Sequence, residues 1–137
     1  MKPIIRRMTA QDLARVNQLW IDCELSDEPE DSIEDMTEFL GCTQSAGFVA
    51  QIDQNIEGAV LCGNDGRFGY IHHLAVSKPH RNAGVGRSLV QACIDFLQKR
   101  HIVILVRDSN EAGNEFWSRM SFQEIAALRM RYFKSRP

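Results

Sequence analysis

The sequence lacks several features that would point to particular classes of protein. No apolar run approaches the ~20 residues that a membrane-spanning helix needs, so no membrane association is expected. The N-terminal residues MKPIIRR lack the apolar core of a signal peptide, which favours a cytoplasmic protein. The four cysteines show no C-x-x-C spacing and the four histidines no H-x-x-x-H spacing. Neither a metal site nor a disulfide framework is therefore expected, and we predict buried, reduced thiols.

Positive charge is also missing from a long stretch of the chain, because residues 16–66 contain no lysine or arginine. Residues 1–66 carry 4 basic and 13 acidic side chains, whereas residues 67–137 carry 12 basic and 5 acidic ones. This asymmetry fits two ligands of opposite charge, but it also fits two surfaces that only keep the fold soluble. At 137 residues, with 44% hydrophobic and 25% charged residues, the chain is predicted to form a single globular domain over residues 1–137.

Hydrophobic periodicity predicts an α/β (α+β) fold. Helices are predicted from Thr9 to Leu25, over 30–40 up to Gly41, over 84–100 and over 110–120. Strands are predicted over 3–8, 48–52, 56–62, 70–76 and 102–106, the last in the sheet centre, with one or two more strands up to Phe133. This order predicts a central mixed sheet of about six to seven strands with about four helices on both faces.

The segment from Arg81 to Arg87 stands between a predicted strand and the clearest predicted helix. Its glycines permit a tight turn, and the helix N-terminus presents unpaired N–H groups, which together favour a phosphate-binding site. A Walker loop would need Lys after its last glycine, and a Rossmann fingerprint would need glycine at Leu89, so neither motif fits. Without further motifs, a purely structural turn stays an alternative.

Two sequence blocks resemble the GNAT superfamily of acyl-CoA N-acyltransferases. Leu74-Ala75-Val76 followed by Arg81-x-x-Gly84-x-Gly86 is similar to the acyl-CoA-binding motif of that family. Asn110, Phe116-Trp117 and Phe122 resemble its downstream block, and Gly63-x-Asp65-Gly66-x-x-Gly69 resembles a subgroup of small bacterial acetyltransferases. The order of predicted elements also matches across nearly the whole chain, so a GNAT-like fold is expected.

The resemblance implies acetyl-CoA as a co-substrate and no metal. It implies that the CoA pyrophosphate lies in the turn formed by Arg81, Asn82, Ala83, Gly84, Val85, Gly86 and Arg87. It further implies that the pantetheine arm pairs with the backbone of Leu74, Ala75 and Val76, and contacts Asn110 and Phe116. The alternative from the residues alone is that Asn110 is a helix N-cap, which is compatible with the ligand role, and that Phe116 is a core side chain.

The implied reaction is direct attack of a primary amine on the acetyl thioester, which requires a base. The family places its base at positions matching Tyr70 or His72, and His72 has the more suitable ordinary pKa. Strict alternation would put Tyr70, His72, Leu74 and Val76 on one face of their strand. We expect His73 to be structural, and His80 and His101 to be exposed. Trp117 replaces the tyrosine that usually protonates the thiolate, so a non-catalytic acyl-CoA-binding module is the alternative function.

The family resemblance places the acceptor groove beside the first two helices, where residues 22–38 contain nine acidic side chains and no basic one. We therefore predict a cationic small-molecule or peptide amine as the acceptor, although a solvated helix face is the alternative. Nucleic acid is not an expected partner, because the basic residues of the tail lack a sufficient aromatic stacking platform. A homodimer formed through the last strand is possible.

Overall fold

A computed structural model describes residues 2–25, 32–133 and 135. The strands are β1 (Ile4–Arg7), β2 (Ser45–Ile52), β3 (Asn55–Asn64), β4 (Gly69–Val76) and β5 (Ile102–Ile104). The α-helices are α1 (Leu13–Asp22), α2 (Ile33–Gly41), α3 (Val85–Leu97) and α4 (Glu111–Arg119), and Ala10–Asp12 and Lys78–His80 are single 3₁₀ turns. The mixed α/β class and four helices are confirmed, and none of the described helices is long and apolar enough to cross a membrane.

The strands form one sheet in the order β1-β2-β3-β4-β5. The first three pairings are antiparallel, and β4 and β5 run parallel, so the sheet is mixed as predicted. The predicted strand over 102–106 is wrong in two respects, since β5 is shorter and lies at the edge of the described sheet. Its side chains are only half-buried, which is consistent with an edge rather than a central position.

Helices cover both faces of this sheet, as predicted. One core cluster joins α1 and α2 to the sheet and includes Leu13, Val16, Leu19, Trp20, Met36, Ala59 and Leu61. On the opposite face α3 packs closely, because a Cβ atom added at Gly58 would lie 3.0 Å from Leu89 and 3.3 Å from Val85. The sheet therefore separates a face covered by α1 and α2 from a face covered by α3.

The strict alternation predicted for β4 is wrong because the strand contains a bulge. Ala59 pairs with Ala75 and Leu61 with His72, so two residues of β4 oppose one residue of β3. His73, within the bulge, has a φ of 53°. Since paired residues share a face, Ala75 lies on the α1 and α2 face with Tyr70 and His72, and Val76 lies on the opposite face.

Other predicted boundaries also changed. Helix α1 ends at Asp22 rather than Leu25, and α3 ends before Gln98, whose left-handed φ of 49° stops the helix short of residue 100. Among the described residues after Phe122 there is no strand, and the large apolar side chains of this segment are exposed. The described sheet thus has five strands rather than six or seven.

The chain divides into two compact units, the first up to Leu105 and the second from Val106 onward. The second unit contains α4, whose buried Trp117 packs edge-on against the rings of Phe116 at 5.2 Å and Phe122 at 4.9 Å between centroids. A single domain over residues 1–137 stays a prediction.

Candidate active site

The parallel ladder between β4 and β5 is short, because β5 ends at Ile104. Gly69 pairs with Ile102, Tyr70 with Val103 and Ile71 with Ile104, and the ladder ends there. Among the described residues, no strand pairs with residues 72–76 on the β5 side. The β5-side edge of the predicted pantetheine-binding residues Leu74, Ala75 and Val76 therefore has no strand partner in the described part of the chain, which is the arrangement that a ligand in extended form requires.

The predicted phosphate turn follows β4 and leads into α3. Asn82 and Gly84 both adopt left-handed backbone, with φ of 61° and 86°, and no side chain caps the N-terminus of α3. The first N–H groups of a helix have no partner within the helix and carry partial positive charge, which favours an anion. Arg81, Asn82, Ala83, Gly84 and Arg87 are exposed, whereas Val85 is buried and Gly86 half-buried. The side chain of Val85 therefore belongs to the core, and only its backbone faces the turn.

The side chain of Arg81 has a structural contact in addition to its charge. Its Nε donates to the carbonyl oxygen of Val76 at 2.8 Å, which ties the turn to the end of β4. The thiol of Cys23 in the segment after α1 also lies 3.6 Å from that oxygen. The turn is thus held at a fixed place relative to the strand that it follows.

A cleft of about 240 Å³ opens on the α1 and α2 face of the sheet. Its lining residues come from α2, β3 and β4 and are Asp35, Met36, Phe39, Leu61, His72 and His73. The family resemblance places an acceptor groove on this side, and the cleft brings His72 together with apolar side chains and one carboxylate. The remaining acidic residues of the predicted groove include Asp27, Glu28, Glu30 and Asp31, which lie outside the described residues.

The pKa of His72, which lines the cleft, departs from its ordinary value. Burial lowers the pKa of this imidazole below 6.5, and the charge of the adjacent His73 lowers it further. A lowered pKa keeps the imidazole neutral and able to accept a proton at pH 7. His72 can therefore act as a base at neutral pH.

The two neighbouring side chains of β4 have other partners. The Tyr70 hydroxyl donates to Asp65 at 3.3 Å in the turn between β3 and β4, and its ring stacks on His72 at 6.1 Å between centroids. The carbonyl oxygen of His73 accepts the Trp20 Nε1–H at 2.9 Å, and the two rings meet edge to face at 4.9 Å. His73 thus anchors the bulge to α1, in agreement with the predicted structural role.

In the second unit, Asn110 is the N-cap of α4. Its Oδ1 accepts the Gly113 N–H at 2.9 Å, so the N-cap alternative is confirmed for this oxygen. Phe116 is half-buried against Trp117, which agrees with the core alternative as far as this unit is concerned.

The sequence analysis missed one polar group of the first unit, Glu57 in β3. Its carboxylate accepts the Ser77 hydroxyl at 2.6 Å and lies 3.3 Å from Nε2 of His80. His80 is accordingly half-buried rather than exposed, because it packs against this carboxylate, whereas His101 is exposed as predicted. A charged residue between Ile56 and Gly58, inside an otherwise apolar strand, was the only available signal.

The prediction of buried thiols holds for two of the four cysteines. Cys62 and Cys93 are buried as predicted, but Cys42 is exposed and Cys23 half-buried. The hydrogen bond with the Cys62 thiol, together with burial, raises the pKa of the Cys93 thiol, so Cys93 stays protonated and inert at neutral pH. No group of three or more potential metal ligands occurs in the described part of the chain.

The β5-side edge of β4, the uncapped N-terminus of α3 and the histidine-lined cleft form the candidate active site. The family model of the acetyltransferase (GNAT) family matches residues 13–122. The chain therefore belongs to the GNAT acetyltransferase family and is an N-acetyltransferase by family.

Several proteins that are similar to this chain are acetyltransferases. An uncharacterized N-acetyltransferase of Methanocaldococcus jannaschii is 28% identical over 91% of this chain and 81% of its own length. N-alpha-acetyltransferase 30 of Schizosaccharomyces pombe is 35% identical over 63% of this chain and 62% of its own. The structure of the aminoglycoside acetyltransferase AAC(6')-Iy with a CoA bisubstrate analogue shares the fold, with a TM-score of 0.81, 18% identity and 100% of both chains covered.

Proposed function

We propose that the protein transfers an acetyl group from acetyl-CoA to a primary amino group of a cationic acceptor. The observation that carries this proposal is the position of three features along one strand. Residues 72–76 lack a strand partner on their β5 side in the described part of the chain, and the phosphate turn begins at Arg81 after the short segment 77–80. His72 on the same strand faces the cleft of about 240 Å³.

The basic half of the sequence and the turn support acetyl-CoA as the acyl donor. The diphosphate would lie against the N–H groups from Asn82 to Arg87, with Arg87 and the free end of the Arg81 guanidinium adding positive charge. The extended pantetheine arm would continue along residues 74–76 on the side of β4 opposite to β3, where the described residues provide no strand partner. The thioester would then lie between the turn and His72. Donor contacts by Asn110 and Phe116 of the second unit stay a prediction of the family resemblance.

His72 would act as the general base. The neutral amine nitrogen attacks the thioester carbonyl carbon, a C–N bond forms, and the C–S bond breaks to release the CoA thiolate. The imidazole of His72 accepts the proton that the nitrogen loses, directly or through water. A thiol with an ordinary pKa near ~8.5 leaves as a thiolate at modest cost, so the tryptophan at position 117 does not prevent the reaction. Tyr70 is the second candidate base, but its hydroxyl is already bonded to Asp65.

Asp35 supports a cationic acceptor. Its carboxylate lines the same cleft as His72, and Met36 and Phe39 form the apolar wall next to it. An acceptor with two amino groups could place one as an ammonium at Asp35 and the other, neutral, at His72. Solved structures of the same fold include an aminoglycoside acetyltransferase in complex with sisomicin, which fits this type of acceptor.

The deciding experiment follows release of free thiol from acetyl-CoA with a panel of diamines, monoamines, neutral amines and anionic amines. We expect turnover with diamines, and a loss of that preference in Asp35→Asn. Turnover restricted to neutral or anionic amines would contradict the cationic acceptor. Thermal stabilisation by acetyl-CoA without thiol release on any amine would instead establish a non-catalytic acyl-CoA-binding module.

The base is tested by His72→Ala. We expect kcat to fall about 10²-fold or more at pH 7 with little change in the Kd of acetyl-CoA, because general-base catalysis contributes on that scale. His101→Ala is the matched control, since His101 is exposed and stacks only on Phe68. Unchanged kcat in His72→Ala would exclude this residue as the base and direct the search to Tyr70.

A further inference from the structure

Glu57 is an inserted residue in β3. Ile56 pairs with Gln51 and Gly58 pairs with Ala50, so Glu57 has no partner of its own in β2. A bulge of this type turns one side chain away from the regular alternation of a strand. The Glu57 carboxylate therefore reaches the segment that follows β4.

Three side chains from two other parts of the chain meet the Glu57 carboxylate. Oε2 accepts the Ser77 hydroxyl at 2.6 Å and lies 3.3 Å from His80 Nε2, and Oε1 lies 3.8 Å from Nη2 of Arg15 in α1. The backbone carbonyl oxygen of Glu57 also accepts the Ser77 N–H at 2.8 Å. The Glu57 side chain is only 18% exposed, so these contacts are partly shielded from water.

The segment that Glu57 holds is short and directly precedes the phosphate turn. Ser77 follows the last residue of β4, Lys78–His80 forms a single 3₁₀ turn, and the next residue is Arg81. Because Glu57 fixes both ends of this segment, it restricts where the turn that starts at Arg81 can lie. Arg15 places a positive charge 3.8 Å from the carboxylate, which limits the repulsion of a nearby anion.

We propose that Glu57 is a positioning residue for the phosphate half of the acyl donor. It would not touch the donor, but would hold residues 77–80 so that the N–H groups of the following turn converge on the diphosphate. The inference rests on the proposed use of acetyl-CoA. It adds that Glu57 on β3, outside the phosphate turn, affects how tightly that turn binds the diphosphate.

The test compares two thioesters. S-acetylpantetheine shares the acetyl group and pantetheine arm of acetyl-CoA but lacks its diphosphate and nucleotide. In Glu57→Gln we expect the Kd of acetyl-CoA to rise about tenfold, the Kd of S-acetylpantetheine to stay within twofold, and kcat at saturating acetyl-CoA to stay near the wild-type value. Glu124→Gln is the control, because it removes the same charge from an exposed position in the second unit.

Amide hydrogen exchange of the ligand-free protein gives a second readout. We expect faster exchange in Glu57→Gln at residues 78–87 and unchanged exchange in β2. If Glu57→Gln does not fold, Glu57→Asp is measured in the same way, with a smaller rise expected because the charge is kept but the reach is shortened.

Equal weakening of both thioesters, or unchanged acetyl-CoA binding with unchanged exchange, would overturn the role of Glu57. Wild-type protein that binds no acetyl-CoA would instead refute the proposed function, so the two failures are distinguishable.

Discussion

The contact between Arg6 and Asp12 gives a stability prediction that can be worked out in detail. Nη1 and Nη2 of Arg6 each donate to one carboxylate oxygen of Asp12 at 2.8 Å, and the Thr9 N–H donates to Oδ2 at 2.8 Å. The Asp12 side chain is 10% exposed and that of Arg6 34% exposed. This forked contact fixes β1 against the start of α1.

The perturbation is Asp12→Asn, which keeps the size of the side chain and one acceptor oxygen. That oxygen can still accept from Thr9, whereas both charge-assisted bonds to Arg6 are lost. Such bonds contribute ~1.5–3 kcal/mol each, but water rehydrates the part-exposed guanidinium, so we expect a net loss of about 2 kcal/mol. For a chain of this size that loss corresponds to a Tm lower by about 8 °C.

Urea denaturation followed by far-UV circular dichroism measures the difference, at pH 7 and at several lower pH values. The hydrogen bonds from Arg6 lower the pKa of Asp12 below its ordinary value of 3.8 in the folded state. A lowered carboxylate pKa stabilises the folded state above 3.8, and that stabilisation disappears as the pH falls through the folded-state pKa. The gap between wild type and Asp12→Asn should therefore close in strong acid.

Glu115→Gln is the control, since its ion pair with Arg119 is 3.9 Å long and both side chains are mostly exposed. It should leave stability unchanged within error. Equal stability of wild type and Asp12→Asn at pH 7, or a gap that persists unchanged at the lowest pH, would refute the reasoning.

Three further predictions concern the site. Gly84→Ala should lower the free energy of unfolding by ~1–2 kcal/mol and weaken acetyl-CoA binding, because Gly84 has a left-handed φ of 86°. The new Cβ itself would meet no neighbour within 4 Å. Gly41→Ala is the control, since Gly41 is equally open but has no positive φ, and it should change neither property. Asn110→Ala should cost about 1 kcal/mol through the lost N-cap, and Asn110→Asp should restore stability in urea titrations but not acetyl-CoA affinity if Nδ2 contacts the donor. The acid limb of the pH profile of kcat/KM should lie below pH 6.5 and move to higher pH in His73→Asn, because the charge of His73 lowers the pKa of His72. A limb that does not move would mean that a group other than His72 titrates there.

Features set by local sequence could be predicted well. Thr9 and Asp12 marked a helix start, and the structure has the Thr9 N–H bonded to Asp12 at that point. Gly41 marked the end of α2, and the glycine pattern around Gly84 marked a turn that needs left-handed backbone. Each of these depends on neighbours within a few residues, which a single sequence contains in full.

Features set by strand pairing could not be predicted. The bulge at His73 and the inserted Glu57 exist only because of how β3 aligns with its two neighbours. Periodicity reflects the order of residues along one strand and contains no information on this register, so the predicted face of Val76 was wrong. It also missed Glu57, whose contacts to Arg15 and Ser77 join residues far apart in the chain.

The ladder between β4 and β5 stops at Ile71 and Ile104, and this bears on how the family diverges. A ligand held by main-chain groups requires an open strand edge but no particular side chains along it. Mutation can then change the residues of that strand and of the helices above it without removing the edge. An 18% identical protein with a TM-score of 0.81 is what such a scaffold permits. In the proposed site the backbone would form the donor half, and the side chains facing the cleft would be free to adapt to different acceptors.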